Sequence, residues 1–171
     1  KTPIPEGNLE KDLKIIEEQA RRAIEITNGL LRYATPAALR FERCDINELV
    51  KEAVGLITAN LAQDKIEVVE DLKPGLPAVQ YCDPKQMQDV FMNIMMNSRQ
   101  AMEGGGKLNI STSYDQTSDA LGVEFTDNGR GIPPENLKKL FTPFFSTKAD
   151  RSGLGLAISR NIVRAHHGAI E

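Results

Sequence analysis

Asn93, Asn97 and Gln100 recur at spacings of four and three residues within Met87–Met102, MQDVFMNIMMNSRQAM. On an α-helix that spacing stacks the amides on one side. Val90, Phe91, Ile94, Met95, Ala101 and Met102 occupy most of the remaining circumference, which predicts a helix buried against a sheet with its amide row facing a cavity. Neutral amides suit a partner that brings its own charge. Mg²⁺ on a triphosphate is such a partner, because Mg²⁺ takes a few protein oxygens, keeps waters and draws its other ligands from phosphate. Buried amides satisfied by neighbouring backbone are the plainer reading of the same row.

Three segments follow in order: Asp127-Asn128-Gly129-Arg130-Gly131, then Phe141-Thr142-Pro143-Phe144-Phe145-Ser146-Thr147-Lys148, then Gly153-Leu154-Gly155-Leu156. A carboxylate accepts hydrogen bonds and donates none, so Asp127 at a strand end selects an exocyclic amine, such as adenine N6, over a keto group. Gly129 and Gly131 let backbone approach a flat base where a Cβ would clash. The same pattern also serves as a tight turn or a piece of a calcium loop. Gly153-x-Gly155 at a helix start offers N–H groups and the positive dipole end to phosphate oxygens. Lys148 reads as a charge partner for a terminal phosphate or as a solvated loop lysine. Phe141, Phe144 and Phe145 are half of the six phenylalanines and fit a hinge that anchors a lid on the core.

Together with LLRYATP upstream, the amide helix and these segments resemble the N, G1, F and G2 boxes of bacterial sensor histidine kinases, most closely the nitrogen-regulation-type branch. Their ATP-binding domain belongs to the superfamily of gyrase, MutL and the heat-shock ATPase chaperone. The resemblance runs from about Leu9 to Glu171. It implies ATP and Mg²⁺ as cofactors, with Asn97 as the metal ligand, Asn93 and Lys148 as catalytic groups, and Gln100 and Ala101 close to the nucleotide. It further implies nucleotide contacts from Asp127, Gly129, Gly131 and Ile132, from Phe145, Thr147 and Lys148 in the lid, and from Ser152, Gly153, Leu154, Gly155 and Leu156. Arg151-Ser152 stands where the commoner pattern has Gly-Thr, so Ser152 keeps a hydroxyl but the lid is altered. Hydrolytic members of the superfamily carry a glutamate one turn before the metal-binding asparagine, where it activates water. Here that position is Asn93, and an amide cannot abstract a proton, so transfer to a separate nucleophile is favoured over water.

The 171 residues allow one compact domain plus an appended element. With 40% apolar and 26% charged residues the composition is that of an ordinary globular protein, and a net charge of −3 without a basic run argues against nucleic acid as a partner. Cys44 and Cys82, the two cysteines, have no metal-ligand spacing and read as separate reduced thiols of a cytoplasmic protein. No apolar run reaches the roughly 20 residues that cross a bilayer. The chain starts at Lys1 and stops at Glu171 in mid-pattern, which reads as a fragment whose final strands, and any membrane anchor of the parent, lie outside it.

In chain order, residues 1–8 read as a loop. From Leu9, the positions Leu13, Ile16, Ala20, Ala23, Thr27, Leu30 and Ala34 keep an a/d register, predicting a bundle-type helix that needs a partner or packs back on its own domain. Thr35-Pro36 ends it. Leu39–Cys44 reads as a strand, Asp45 with Glu48 caps a helix over Ile46–Gln63, and Ile66–Asp71 and Val79–Tyr81 read as strands around Lys73-Pro74-Gly75. Asp83 and Pro84 open the amide helix. Lys107–Tyr114 and Leu121–Thr126 form a hairpin, Pro133–Leu140 a short helix, Thr142–Ser152 the mobile segment, Leu154–His166 a helix, and Ala169-Ile170 the start of a strand. His166 and His167 before Gly168 read as caps of that helix.

The expected fold class is α+β: an α/β sandwich with a mainly antiparallel mixed sheet covered on one face by helices, the Bergerat-type ATP-binding fold, preceded by one long helix. The resemblance makes residues 1–38 the second helix of a dimerisation and phospho-acceptor hairpin, and 39–171 the catalytic ATP-binding domain. The phospho-accepting histidine then sits on a first helix absent from the chain, the parent is a homodimer, and a response regulator receiver domain collects the phosphoryl group. Competing readings are a nucleotide-sensing module without catalysis and a gyrase- or MutL-type ATPase.

Overall fold

A computed structural model describes residues 6–34, 38–77, 80–147 and 152–171. Helix α1 spans Glu6–Ala34, strand β1 Glu42–Cys44, α2 Ile46–Gln63, β2 Ile66–Asp71, β3 Gln80–Cys82 and α3 Pro84–Ala101. The chain continues through β4 (Gly106–Asp115), β5 (Ala120–Asp127), the single-turn α4 (Pro134–Leu137) and α5 (Gly155–Ala165). The predicted helix stop at Thr35-Pro36 and the strand position Val79 lie outside the described residues.

The helix starts obey local chemistry. Asp45 accepts from the N–H groups of Asn47 (2.8 Å) and Glu48 (3.3 Å) at the head of α2, and Asp83 accepts from Gln86 N–H (3.1 Å) at the head of α3, with Pro84 at the first helical position. One face of each helix is apolar. Leu49, Val50, Ala53, Ile57 and Leu61 of α2 meet Val90, Phe91 and Met95 of α3 over Leu108 and Ile110 of β4, all buried. The Phe91 and Phe125 rings sit 5.8 Å apart in that layer.

The sheet through the core is mixed, ordered β2-β4-β5, with β2 parallel and β5 antiparallel to β4. Inward positions Leu108, Ile110 and Thr112 alternate along β4. Buried Thr112 is satisfied: its hydroxyl accepts from Lys73 N–H and donates to Asn47 Oδ1, both at 2.9 Å. The α+β class and the helical layer match the sequence reading, but the described strands form two sheets, not one. β3 pairs with β1, antiparallel, instead of folding back on β2. The β1 pairing begins at Glu42 rather than Leu39, and Ala169-Ile170 is not a strand among the described residues.

The β1–β3 pairing also corrects the reading of the cysteines. Cys44 and Cys82, 38 positions apart in sequence, come within 6.6 Å between Cα atoms and are joined as a disulfide. Nothing in their spacing signals this, because only the strand pairing brings them together.

α1 keeps its predicted apolar row but leaves most of it in solvent: Leu13, Ile16, Ile24 and Leu31 are all more than half exposed. Near its C-terminal end α1 touches the rest of the chain. Gly29 lies under Leu154, where an added Cβ would come within 3.0 Å of the leucine Cδ1, and Arg32 pairs with Asp89 of α3.

Asp83 ties three segments into one knot beneath α3. Its Oδ2 accepts from Arg40 N–H (3.0 Å), its own N–H donates to His166 Nε2 (2.9 Å), and the His166 ring packs on Phe41 with centroids 5.1 Å apart. His166 Nδ1 lies 2.8 Å from Ile162 O and caps α5 there, and His167 turns the chain at φ 61°. Burial pushes the Asp83 carboxyl up, yet the N–H donors of Arg40 and Gln86 and the nearby His166 outweigh it and hold the carboxyl below its usual value. Its stabilisation is therefore complete above the ordinary carboxyl value of about 4 and fades as pH falls through the lowered folded value. Asp83→Ala removes the cap and orphans the Arg40 N–H, an expected loss of about 2 kcal/mol at neutral pH. Urea unfolding of variant and wild type measures it, and the gap between them narrows as pH falls below the ordinary carboxyl value.

Candidate functional site

α3 turns its amide row away from the sheet, with Asn97 exposed and Asn93 and Gln100 half-buried. Asn93 Nδ2 donates to the Ser159 hydroxyl of α5 (2.9 Å), and Asn93 Oδ1 lies so close to Gly155 that a Cβ there would overlap it. A side chain at the start of α5 would thus have to displace the Asn93 amide, apart from any ligand.

Asp127 ends β5 opposite Leu108. Its Oδ1 accepts from Gly129 N–H (3.0 Å), and Asn128 is held by Lys107 on both sides, its Oδ1 accepting at 2.8 Å and its N–H donating at 3.3 Å. Arg130 N–H donates to Ala101 O (3.0 Å), and a Cβ on Gly129 would lie 2.6 Å from that same oxygen. Close approach at Gly129 is therefore to the last turn of α3, where the sequence reading has a nucleotide base. Gly131 stands in open space at φ 68°, a backbone angle that favours glycine. This loop fastens Asp127 to the same end of α3 that carries Gln100.

The lid segment is rooted on both sides. Its ends meet at Gly153, whose φ is 66° and where a Cβ would lie 2.6 Å from the Phe144 carbonyl carbon and 2.7 Å from Phe145 O. Phe144 itself sits at φ 65° and is exposed. From α5, Arg160 Nη2 donates to Phe141 O (3.0 Å) while its guanidinium lies 5.2 Å from the centre of the Phe141 ring. These ties hold Phe141, whereas Phe144 of the same cluster is exposed. Arg160→Ala removes both ties, and limited proteolysis between Thr142 and Ser152 is expected to accelerate about tenfold. Lys148 and Arg151 fall outside the described residues.

α5 starts at Gly155 with Leu154 as its N-cap and no side-chain cap hydrogen bond, and Ser152 Oγ accepts from Leu154 N–H at 3.4 Å. Its first N–H groups are thus not taken by a capping side chain, the arrangement that suits a phosphate. Leu154 is buried under α1 and Leu156 is half-buried.

Two cavities flank the amide helix. One, of about 820 Å³, is open and lined by Gln100 and Thr147 together with Lys65, Arg99 and Arg130. A smaller one of about 300 Å³ lies among α1, α3 and α5, lined by Asn93 and Gly155 with Arg32 and Asp89. Asn97, Asp127, Ile132 and Phe145 line neither. The cations are additions to the sequence reading. Arg130 stands inside the glycine loop and Arg99 beside Gln100, so both were visible in the pattern; Lys65 reaches the cavity only through the α2–β2 turn. Arg99 is held by Asp64 (2.6 Å), whereas Arg130 keeps a looser 3.7 Å approach to Glu103.

Comparison with known proteins gives sensor histidine kinases among the relatives. The chain is 30% identical over 167 residues to the sensor histidine kinase ZraS of Klebsiella oxytoca, covering 97% of this chain and 36% of the relative. It is 32% identical over 159 residues to the signal transduction histidine-protein kinase AtoS of Escherichia coli K12, covering 92% of this chain and 26% of the relative. The chain thus spans about a third or less of these relatives. Among solved structures, histidine kinase ThkA in complex with the response regulator protein TrrA superposes with a TM-score of 0.77 at 28% identity, over 98% of this chain and 47% of that one. The isolated catalytic domain of ThkA matches with a TM-score of 0.65 at 28% identity, over 74% of this chain and 82% of that one. The sequence pattern of one family fits residues 82–171, from the end of β3 through the amide helix, the glycine loop and α5. The chain belongs to the histidine kinase-, DNA gyrase B- and HSP90-like ATPase family.

Proposed function

We propose that the chain is the ATP-binding, phosphoryl-donating part of a sensor histidine kinase, with residues 39–171 as the catalytic domain and α1 as the second helix of the dimerisation hairpin. The observation that carries this reading is the joining of the Asp127 loop to α3 through Arg130 N–H and Ala101 O, beside a cavity of about 820 Å³ whose lining holds Gln100, the cations Lys65, Arg99 and Arg130, and the carboxylates of Asp64 and Glu103. That volume is within the range of ligand pockets. Asp127 reads the adenine amine; Gln100, Arg130 and Thr147, which line the cavity, meet the phosphates, Lys148 is their charge partner by its sequence position, and the start of α5 at Gly155 receives the phosphate chain.

Mg²⁺ fits the donor set in one way. Among the described residues no group of three or more histidine, cysteine or acidic side chains could hold a metal, so an ion at the exposed Asn97 draws its remaining ligands from phosphate and water. Held there, Mg²⁺ would supply charge neutralisation for the transferring phosphoryl group. Asn93, already bonded to Ser159, offers no base for water, which supports transfer over hydrolysis.

Neither histidine suits the role of acceptor by placement. His166 has both ring nitrogens engaged, and His167 sits in the C-terminal turn of α5. The acceptor therefore belongs to a first hairpin helix, with a second copy of the chain as dimer partner and a receiver domain as the destination. The ThkA structure contains such a regulator protein. No helix among the described residues is long and apolar enough to cross a membrane, in keeping with a cytoplasmic placement of this part. Incubation with Mg²⁺ and γ-labelled ATP tests the proposal: the chain alone stays unlabelled, and a longer polypeptide carrying the acceptor helix ahead of α1 gains acid-labile, base-stable label. Free phosphate released at ordinary enzyme rates, with no label on the longer protein, would make it a hydrolase instead.

A further inference from the structure

Neither Cys44 nor Cys82 lines the two cavities beside α3, and the bond between them plays no part in the function proposed above. Its place in the fold is specific. Cys44 immediately precedes Asp45, the N-cap of α2, and Cys82 immediately precedes Asp83, the N-cap of α3. The bond thus links the starts of the two helices that build the core. Among the described residues the ribbon it crosses pairs Glu42–Cys44 with Gln80–Cys82, and Arg40 N–H on Asp83 and Arg43 Nε on the Tyr81 hydroxyl also tie its two sides. Cys82 is buried, whereas Cys44 is half-buried and is the partner that solvent reaches.

We propose that Cys44 and Cys82 form a reversible oxidation site whose disulfide fixes the first turns of α2 and α3 relative to one another. The oxidant class is a small-molecule disulfide. The Cys44 thiolate attacks one of its sulfurs and expels the first thiol. The Cys82 thiolate then attacks Cys44 Sγ in the mixed disulfide and releases the second, so two protein thiols are oxidised as one small disulfide is reduced to two thiols. A dithiol reductant reverses the exchange. Closing a loop across 38 positions restricts the unfolded chain, and α3 carries Asn93 and Asn97, so the oxidation state sets how firmly the start of the amide helix is held.

The chain is equilibrated in oxidised or reduced dithiothreitol, alkylated and weighed, then followed by melting and by amide exchange. Oxidised protein is expected to take no alkyl group and reduced protein two. The reduced form remains folded, melts about 10 °C lower, and exchanges the capped N–H groups of Asn47, Glu48 and Gln86 about tenfold faster. Cys44→Ser is expected to take one alkyl group and to melt and exchange like reduced protein in both buffers, and the wild-type comparison stands if that variant does not fold. Two alkyl groups in both buffers, or equal melting and exchange in the two forms, would overturn the proposal. Unfolding on reduction would overturn it too, since the bond would then be a permanent staple rather than a reversible site.

Discussion

Asp127→Asn is expected to weaken ATP binding about 100-fold, close to 3 kcal/mol, with little change in melting temperature. The reason is a count of acceptors. Asp127 Oδ1 already accepts from Gly129 N–H at 3.0 Å, and in the proposed function its second oxygen accepts from the adenine amine. An asparagine has one carbonyl oxygen for these two donors, so whichever way the amide turns, one donor faces another donor. Guanine presents a keto group at that position, which the new amide could satisfy. The preference for ATP over GTP should therefore collapse as well as the affinity. Isothermal titration with non-hydrolysable analogues of both nucleotides measures the two effects, and an unchanged ATP affinity would remove Asp127 from the site.

The second large effect is expected at Gly153. Its φ of 66° is strained for any residue with a Cβ, and an added Cβ would lie 2.6 Å from the Phe144 carbonyl carbon and 2.7 Å from Phe145 O. Both neighbours are backbone and cannot swing aside, so Gly153→Ala must open the root of the lid or shift the start of α5. The expected cost is about 3 kcal/mol, read as a lower urea midpoint together with weaker ATP binding. Gly131→Ala is the control: its φ of 68° carries the same strain, but nothing lies within 4 Å of the added Cβ, so its cost should be about 1 kcal/mol. Equal effects at the two glycines would mean that backbone angle, not the meeting of the lid ends, governs Gly153.

What was legible in the sequence was mostly local. Asp45 with Glu48, and Asp83 with Pro84, announce helix starts through bonds that span a few residues, and α2 and α3 begin at those places. The period of the amide helix foretold the burial of Val90, Phe91, Met95 and Met102. Pairing between distant segments was not legible. The sequence places β2 and β3 as strands around the Lys73-Pro74-Gly75 turn, yet β3 joins β1, and that choice brings Cys44 to Cys82. The glycines show a subtler limit. Gly129 and Gly155 were read as openings for a ligand, whereas the groups crowding them are Ala101 O and Asn93 Oδ1 within the chain. Sequence shows that a side chain is missing without showing what occupies its place. Lys65 was invisible for a related reason, since it lines the larger cavity only because the α2–β2 turn, with Lys65 at φ 59°, docks its carbonyl on Gly106 N–H at 3.2 Å.

The central claim is that α3, the Asp127 loop and the start of α5 form one nucleotide site. Backbone amide NMR of the chain, titrated with a non-hydrolysable ATP analogue and Mg²⁺, tests it most directly. Saturable one-to-one shifts at Asn97, Gln100, Gly129, Gly131 and Gly155 together, reduced when Mg²⁺ is withheld, are the predicted result. No saturable shifts, or shifts confined to residues away from these three elements, would contradict it.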